Sequence, residues 1–267
     1  MRATSRVTGV SFNTIMKLLL EAGEACQAFH DVRVRNVKSR RIECDEIWQF
    51  NYCKRANLAK AKAAPDHAGD VWTWTALDAD SKMIVAWLVG NRDAESASEF
   101  MQDVAERLAN RVQLTTDGHK PYLGAVEDAF GADIDYAMLV KIYGESGATG
   151  PERKYSPGEC CGTVKRKIEG NPDRRLVSTS YVEKHNQSMR QHMRRFTRLT
   201  NAHSKKFANH CAAQAMYFVY YNFVRINSAV KMSPAMAAGI ETKLWEMSDL
   251  LAMVDAYWTT KKSESSN

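Results

Sequence analysis

An aspartate stands in the middle of a strand-like segment, where a charge is hard to accommodate. Arg41–Lys54 reads RIECDEIWQFNYCK, and its polar and apolar residues alternate as in a strand. Asp45 lies between Ile42 and the Ile47–Trp48 pair. A carboxylate inside such a strand costs free energy unless it is paired or liganded. The chain must therefore fold so that something answers Asp45.

The segments that follow narrow the choice. Val71–Leu77 and Met83–Val89 read as two more strands around the turn Asp78–Ala79–Asp80–Ser81. Asp93 and Ala94 open a helix through about Ala109, with Ala97, Phe100, Met101, Val104 and Leu108 at helical spacing. Val112–Thr116 is a fourth strand that ends at Asp117. Pro121–Phe130 is a helix and Tyr136–Ile142 a short fifth strand. Three strands, a helix, a strand, a helix, a strand and more helix is the ribonuclease-H-like order. The fold class is α/β, a mixed five-stranded sheet flanked by helices. Gly144–Ser178 (144–178), with Gly and Pro punctuation and basic Lys165–Lys167, reads as an insertion or mobile loop. Phe207–Asn227 is a strongly apolar helix whose Asn209, His210, Gln214 and Asn222 argue against a membrane span.

In this layout the strands bearing Asp45 and Asp117 are neighbours, and Glu183 arrives from a helix on the sheet's face. Three such carboxylates can hold two divalent ions, Mg2+ or Mn2+, through hard oxygen ligands. Each has a bland reading of its own. Asp117 before Gly118 suits a turn, and Glu183 in a first helical turn suits the macrodipole. Their order along one fold favours the joint reading.

Glu183 also heads an acid-free stretch. No Asp or Glu occurs from Lys184 to Ile240, which carries Lys184, Arg190, Arg194, Arg195, Arg198, Lys205, Lys206, Arg225 and Lys231. Asn186, Gln187, Arg190 and Arg194 follow Glu183 on one helical face. There Asn186 can orient a water or a base, and the arginines can grip phosphates. Val182, Met189, Met193 and Phe196 mark the packed face. His119 and His185 are near enough in sequence to touch the carboxylates or a phosphate, or are surface histidines without a role. The net charge of +6 gathers in this stretch and in Arg33–Arg41, the pattern of a nucleic-acid binder or of solvated basic faces. Trp72, Trp74 and Trp87 read as core, with a base-stacking platform as the rival reading.

At the amino end, Thr8–Gly9–Val10 is a turn, Ser11 an N-cap, and Ile15, Leu18, Leu19 and Ala22 recur at helical spacing. This resembles the turn and recognition helix of a helix-turn-helix, with Asn13, Thr14 and Lys17 where base edges are met. The chain starts at Met1, so the helix expected before the turn is missing and the unit reads as partial. Residues 24–40 read as a linker. The domain reading is 1–40 for this segment and linker, 41–255 for the α/β core, and 256–267 for a flexible tail. The six cysteines form no CxxC pair, which argues against a zinc ribbon. The absence of a signal peptide and of a long apolar run points to a soluble protein in a reducing compartment.

CDEIWQF, LTTDGHKPY and YVEKHNQSMRQHMRRFTR resemble the three catalytic blocks of DDE transposases of the insertion-sequence IS1 family. The late run SPAMAAGI is also similar, and the resemblance covers roughly residues 5–255. It implies a catalytic and metal-binding trio of Asp45, Asp117 and Glu183. It implies DNA contacts at Asn186, Arg190, Arg194, Arg195 and Arg198. The implied activity is metal-dependent DNA cleavage and strand transfer at transposon ends. The implied partners are double-stranded DNA and further copies of the chain, with no membrane, in the cytoplasm at the bacterial nucleoid. The alternatives are a ribonuclease-H-like nuclease without joining activity, and a catalytically dead transposase-derived repressor. The separation of Asp117 from Glu183 is longer than the compact family pattern, and the family's amino-terminal zinc ribbon is absent.

Overall fold

A computed structural model of the chain describes residues 1–144, 158, 160–197 and 200–264. Six strands form one mixed sheet: β1 (Arg41–Asn51), β2 (Gly69–Asp78), β3 (Ile84–Gly90), β4 (Gln113–Thr116), β5 (Asp135–Tyr143) and β6 (Cys160–Glu169). Their order is β3-β2-β1-β4-β5-β6. The β1–β4 and β4–β5 pairs are parallel and the other three are antiparallel. The expected neighbours β1 and β4 do lie side by side.

Helices cover both faces. The sheet is pleated, so Trp74 and Glu46 share one face while Asp45 and Thr75 share the other. On the first face lie α3 (Ala94–Arg107) and α4 (Pro121–Phe130), where Trp74 meets Phe100 and Tyr122. On the second lie α5 (Ser180–His192) and α6 (Phe207–Val219). There Trp87 packs on Phe218 with ring centroids 4.6 Å apart. After α6 the chain makes a π-helical turn, Tyr220–Val224. Asn222 then bridges the backbone of Ile84 through bonds of 2.9 and 2.8 Å, satisfying the outer edge of β3. The polar residues noted on this helix are internal: Thr73 donates to Gln214 at 2.8 Å, and His210 pairs with Ser204 at 2.9 Å.

Three expectations are corrected. The sheet has six strands, not five, because residues 160–169 of the supposed insertion form β6 along β5. This edge strand is exposed on both faces, so it shows no apolar alternation, and its Lys165–Lys167 run suits an unpaired edge. Residues 145–157 and 159 lie outside the described residues.

The amino end also differs. A short helix, α1 (Arg2–Thr8), does precede the turn, and Gly9 ends it in the left-handed conformation. The second helix, α2 (Phe12–Arg33), runs through most of the supposed linker. Its buried Ile15, Leu19, Gly23, Cys26 and His30 recur every three or four residues, so the apolar stripe continues past residue 24. Gly23 explains the close packing on α6: a Cβ there would sit 2.4 Å from Ala212 Cα. Ser11 is the N-cap, accepting from the Thr14 N–H at 3.2 Å.

The supposed tail is helical as far as Glu264: after the short α7 (Pro234–Ala237), α8 (Met247–Glu264) runs to that residue. Trp258 donates to the Glu21 carbonyl at 3.1 Å and Tyr257 to Glu24 at 3.0 Å, which fastens α8 along α2. Among the described residues no helix is long and apolar enough to cross a membrane.

Candidate functional site

The β1–β4 register brings the first two carboxylates together. Cys44 pairs with Thr116 at the end of the parallel ladder; Asp45 is the next residue of β1, and Asp117 is the first residue beyond β4. Glu183 comes from the first turn of α5. All three line one cavity of about 750 Å³, whose cationic lining includes Arg92, Lys120 and Lys141.

Two further carboxylates of β1, Glu43 and Glu46, join this site. Glu46 lies beside Asp45 and points to the opposite face of the sheet. One oxygen from each of Asp45, Glu46 and Asp117 lies within 4.8 Å of the others. Glu43, two residues before Asp45 on its face, holds the head of α5. Its Oε2 accepts from the Tyr181 and Val182 N–H groups at 2.8 and 3.1 Å. These are two of the orphan donors of a helix start. The signal for both is present in the string ECDE, where three of four residues are acidic, but no local pattern says which of them reach the site.

Partners differ around the site. Asp45 accepts from Asn186 Nδ2 at 2.9 Å. Asp117 Oδ1 accepts from the His119 N–H at 2.9 Å. Glu183 is paired with Lys141 and accepts from the Thr179 hydroxyl. Arg92 spans Glu46 and Asp117, at 3.2 and 3.5 Å. Several buried polar atoms here have no hydrogen-bond partner: Glu46 Oε1, Thr75 Oγ1, His119 Nε2 and Asn186 Oδ1.

Burial and mutual repulsion shape the charges. Asp45 is pushed up to about 7 by burial, then by Asp117 and Glu183. Glu46 is pushed to about 7 by burial and then by Asp117. Burial also raises Glu43 to about 7, against the pull of its two backbone donors. Carboxylates so crowded favour a cation among them. Their donor set is hard oxygen, which suits Mg2+ or Mn2+.

The histidines divide. His119 is half-buried, lines the cavity and lies 5.7 Å from the Trp74 ring. His185 is neither a surface residue nor a phosphate contact: it is buried among Tyr217, Phe218 and Tyr221, and burial lowers it to about 3. Trp74 and Trp87 are core, whereas Trp72 is half-buried beneath the Arg92 guanidinium.

The basic residues also divide. The helix stops at His192, so Arg194 does not continue the Glu183 face as its spacing suggested. Met193 is extended, and the chain turns to bury Phe196 beside His210, 5.4 Å between ring centroids. Arg194 is exposed. Arg190 is half-buried and donates to the Phe196 carbonyl at 3.1 Å. Arg195 is turned inward, donating to Ser204 Oγ at 3.1 Å and the Asn209 carbonyl at 2.8 Å. Arg198 lies outside the described residues. Asn13, Thr14 and Lys17 are exposed on the first turns of α2. In the Arg33–Arg41 run, Arg33, Arg35, Arg40 and Arg41 pair with Glu241, Asp31, Asp80 and Asp80 respectively.

No protein-family model and no curated protein matches the chain.

Proposed function

We propose that the chain is a DDE-type transposase built on a ribonuclease-H-like sheet. It would cleave DNA at the ends of a mobile element and join the freed 3′-hydroxyl to a target. The observation that carries this reading is the convergence of Asp45, Asp117 and Glu183, from two parallel strands and a helix, on one cavity with cationic walls.

Asp45, Asp117 and Glu183 would hold two divalent ions, with hard carboxylate oxygens and unpartnered buried polar atoms around them. Such ions supply a water-derived nucleophile and stabilise the leaving oxygen. The chain's own residues would do the remaining work. Asn186 keeps the Asp45 carboxylate oriented, and Glu43 fixes the helix on which Glu183 stands. Lys120 and Lys141 at the cavity wall would offset the charge of the DNA backbone, which otherwise repels a nucleophile. Arg190 and Arg194 would extend that grip along the duplex. Asn13, Thr14 and Lys17 remain the candidates for reading base edges.

The test uses the full chain with plasmid DNA carrying the sequences that flank its coding region, in Mg2+ or Mn2+. Asp45→Asn, Asp117→Asn and Glu183→Gln should each abolish cleavage while the protein still binds duplex DNA. Cleavage at wild-type rate by any one of them removes that residue from the trio. A labelled 3′-end that appears in target DNA distinguishes joining from cutting alone.

A further inference from the structure

The proposed trio leaves one buried carboxylate without a task. Glu46 has a side chain only 1% exposed, and its Oε1 makes no hydrogen bond. The Tyr122 hydroxyl adjoins it, yet that hydroxyl is itself without a hydrogen bond of ordinary geometry. A buried carboxylate left so incompletely answered is expensive. One of its oxygens, one of Asp45 and one of Asp117 also lie within 4.8 Å of one another. Three carboxylate oxygens that close together match the hard-ligand demand of one divalent cation.

Arg92 now sits against this cluster. It belongs to the turn between β3 and α3. Its Nε lies 3.2 Å from Glu46 Oε2 and its Nη2 3.5 Å from Asp117 Oδ2. Its guanidinium carbon lies 4.9 Å from the Trp72 ring centre, and the side chain is 35% exposed. A guanidinium and a divalent cation cannot both be held by the same oxygens, because their charges repel. The Trp72 ring, already beneath the guanidinium, gives it a place to stay when it leaves the carboxylates. A phosphate oxygen pair is the natural next partner for its planar fork.

We infer that Glu46 is the third carboxylate of a divalent-cation site with Asp45 and Asp117, and that Arg92 is its built-in counter-ion, which the cation displaces onto a DNA phosphate. The phosphate half of this inference rests on the proposed function. The exchange links the two ligands. Metal raises DNA affinity through Arg92, and DNA must raise metal affinity by the same factor.

The experiment titrates Mn2+ into the metal-free full chain and counts free Mn2+ by electron paramagnetic resonance. A labelled duplex, verified uncut on a gel, is then titrated with and without Mn2+ by fluorescence anisotropy. Glu46→Gln should weaken Mn2+ binding by about tenfold or more. Arg92→Gln should tighten Mn2+ binding several-fold in the absence of DNA and remove the Mn2+-dependent gain in duplex affinity. Thermal melts confirm that each variant folds. If Glu46→Gln does not fold, Glu46→Asp, which keeps the charge but shortens its reach, is held to the same threshold. Wild-type Mn2+ affinity in the Glu46 variant overturns its role as a ligand. Unchanged or weaker Mn2+ binding by Arg92→Gln overturns the counter-ion. Failure of the proposed function looks different: the wild-type chain then binds no duplex under any condition, while the Mn2+ affinities of the variants still divide as stated.

Discussion

Asn186 Nδ2 donates to Asp45 Oδ2 at 2.9 Å, which ties the helix bearing Glu183 to the strand bearing Asp45. The bond favours the ionised carboxylate, against the burial that raises it. Asn186→Ala should therefore cost about 1–2 kcal/mol of stability at pH 8, where Asp45 is charged. It should also weaken Mn2+ binding about tenfold, the usual effect of losing a partner that orients a metal ligand. Thermal melts with and without Mn2+ measure both. An unchanged Mn2+ shift in melting temperature would show that Asn186 orients nothing.

Glu43 acts on the same helix at its head. By accepting from the Tyr181 and Val182 N–H groups, it takes the place of an N-cap side chain, since Thr179 makes no cap bond. Glu43→Ala should cost about 1–2 kcal/mol, the usual loss for a cap. Cleavage should fall with it, because Glu183 stands in the first turn that Glu43 holds. Amide hydrogen exchange resolves the cause: protection should drop at the start of α5 and stay unchanged in β3. Loss of protection across the whole sheet would mean that Glu43 is a general core residue.

The raised carboxyls make stability depend on pH. Asp45 ionises near 7 in the fold but near 3.8 in the unfolded chain. The fold thus binds the proton more tightly. Its stability is highest below the unfolded value and falls as pH rises through the folded one. Asp45→Asn removes that titration while keeping an acceptor for Asn186. Without metal, the variant should match wild type near pH 4. It should become more stable by about 2–4 kcal/mol as pH rises from about 4 to above 7, since each tenfold tightening of proton binding by the fold is worth about 1.36 kcal/mol, discounted for relaxation. The comparison with wild type cancels the opposite effect of His30, His185 and His210, which burial lowers to about 3. Denaturant unfolding at four pH values checks it. A difference that does not vary with pH would refute the raised Asp45.

The strands and helices with a clear period were legible, and so was the pairing of Asp45 with Asp117, because the strand order alone makes β1 and β4 neighbours. What escaped detection lacked a local signal. Strand β6 has no buried face, so nothing alternates along Cys160–Glu169. The length of α2 was hidden by the charges around its buried stripe, where Asp31, Arg33 and Arg35 look like a linker. The role of Glu43 depends on the approach of α5 from far along the chain, and Glu46 depends on Arg92 in the turn after β3. No spacing rule reports such contacts. Arg194 was misplaced for a related reason: helical periodicity was extended past a turn forced by the burial of Phe196.

Two adjacent arginines make the sharpest contrast on the basic stretch. Arg194 is exposed just beyond the end of α5, where under the proposed function it would meet a phosphate of the duplex. Arg195 is committed inward, holding Ser204 and the Asn209 carbonyl. Sequence alone treats them as equals. Arg194→Ala should leave the melting temperature unchanged, weaken binding to all duplexes alike, and reduce the salt slope by about one unit. Arg195→Ala should instead destabilise the fold by about 1.5–3 kcal/mol, because it removes two charge-assisted bonds from a half-buried site. Its effect on the salt slope should be small. Fluorescence anisotropy across a salt series, beside thermal melts of both variants, makes the comparison. If Arg195→Ala lowers the slope at an unchanged melting temperature, the inward bonds do not hold in solution and Arg195 faces the DNA.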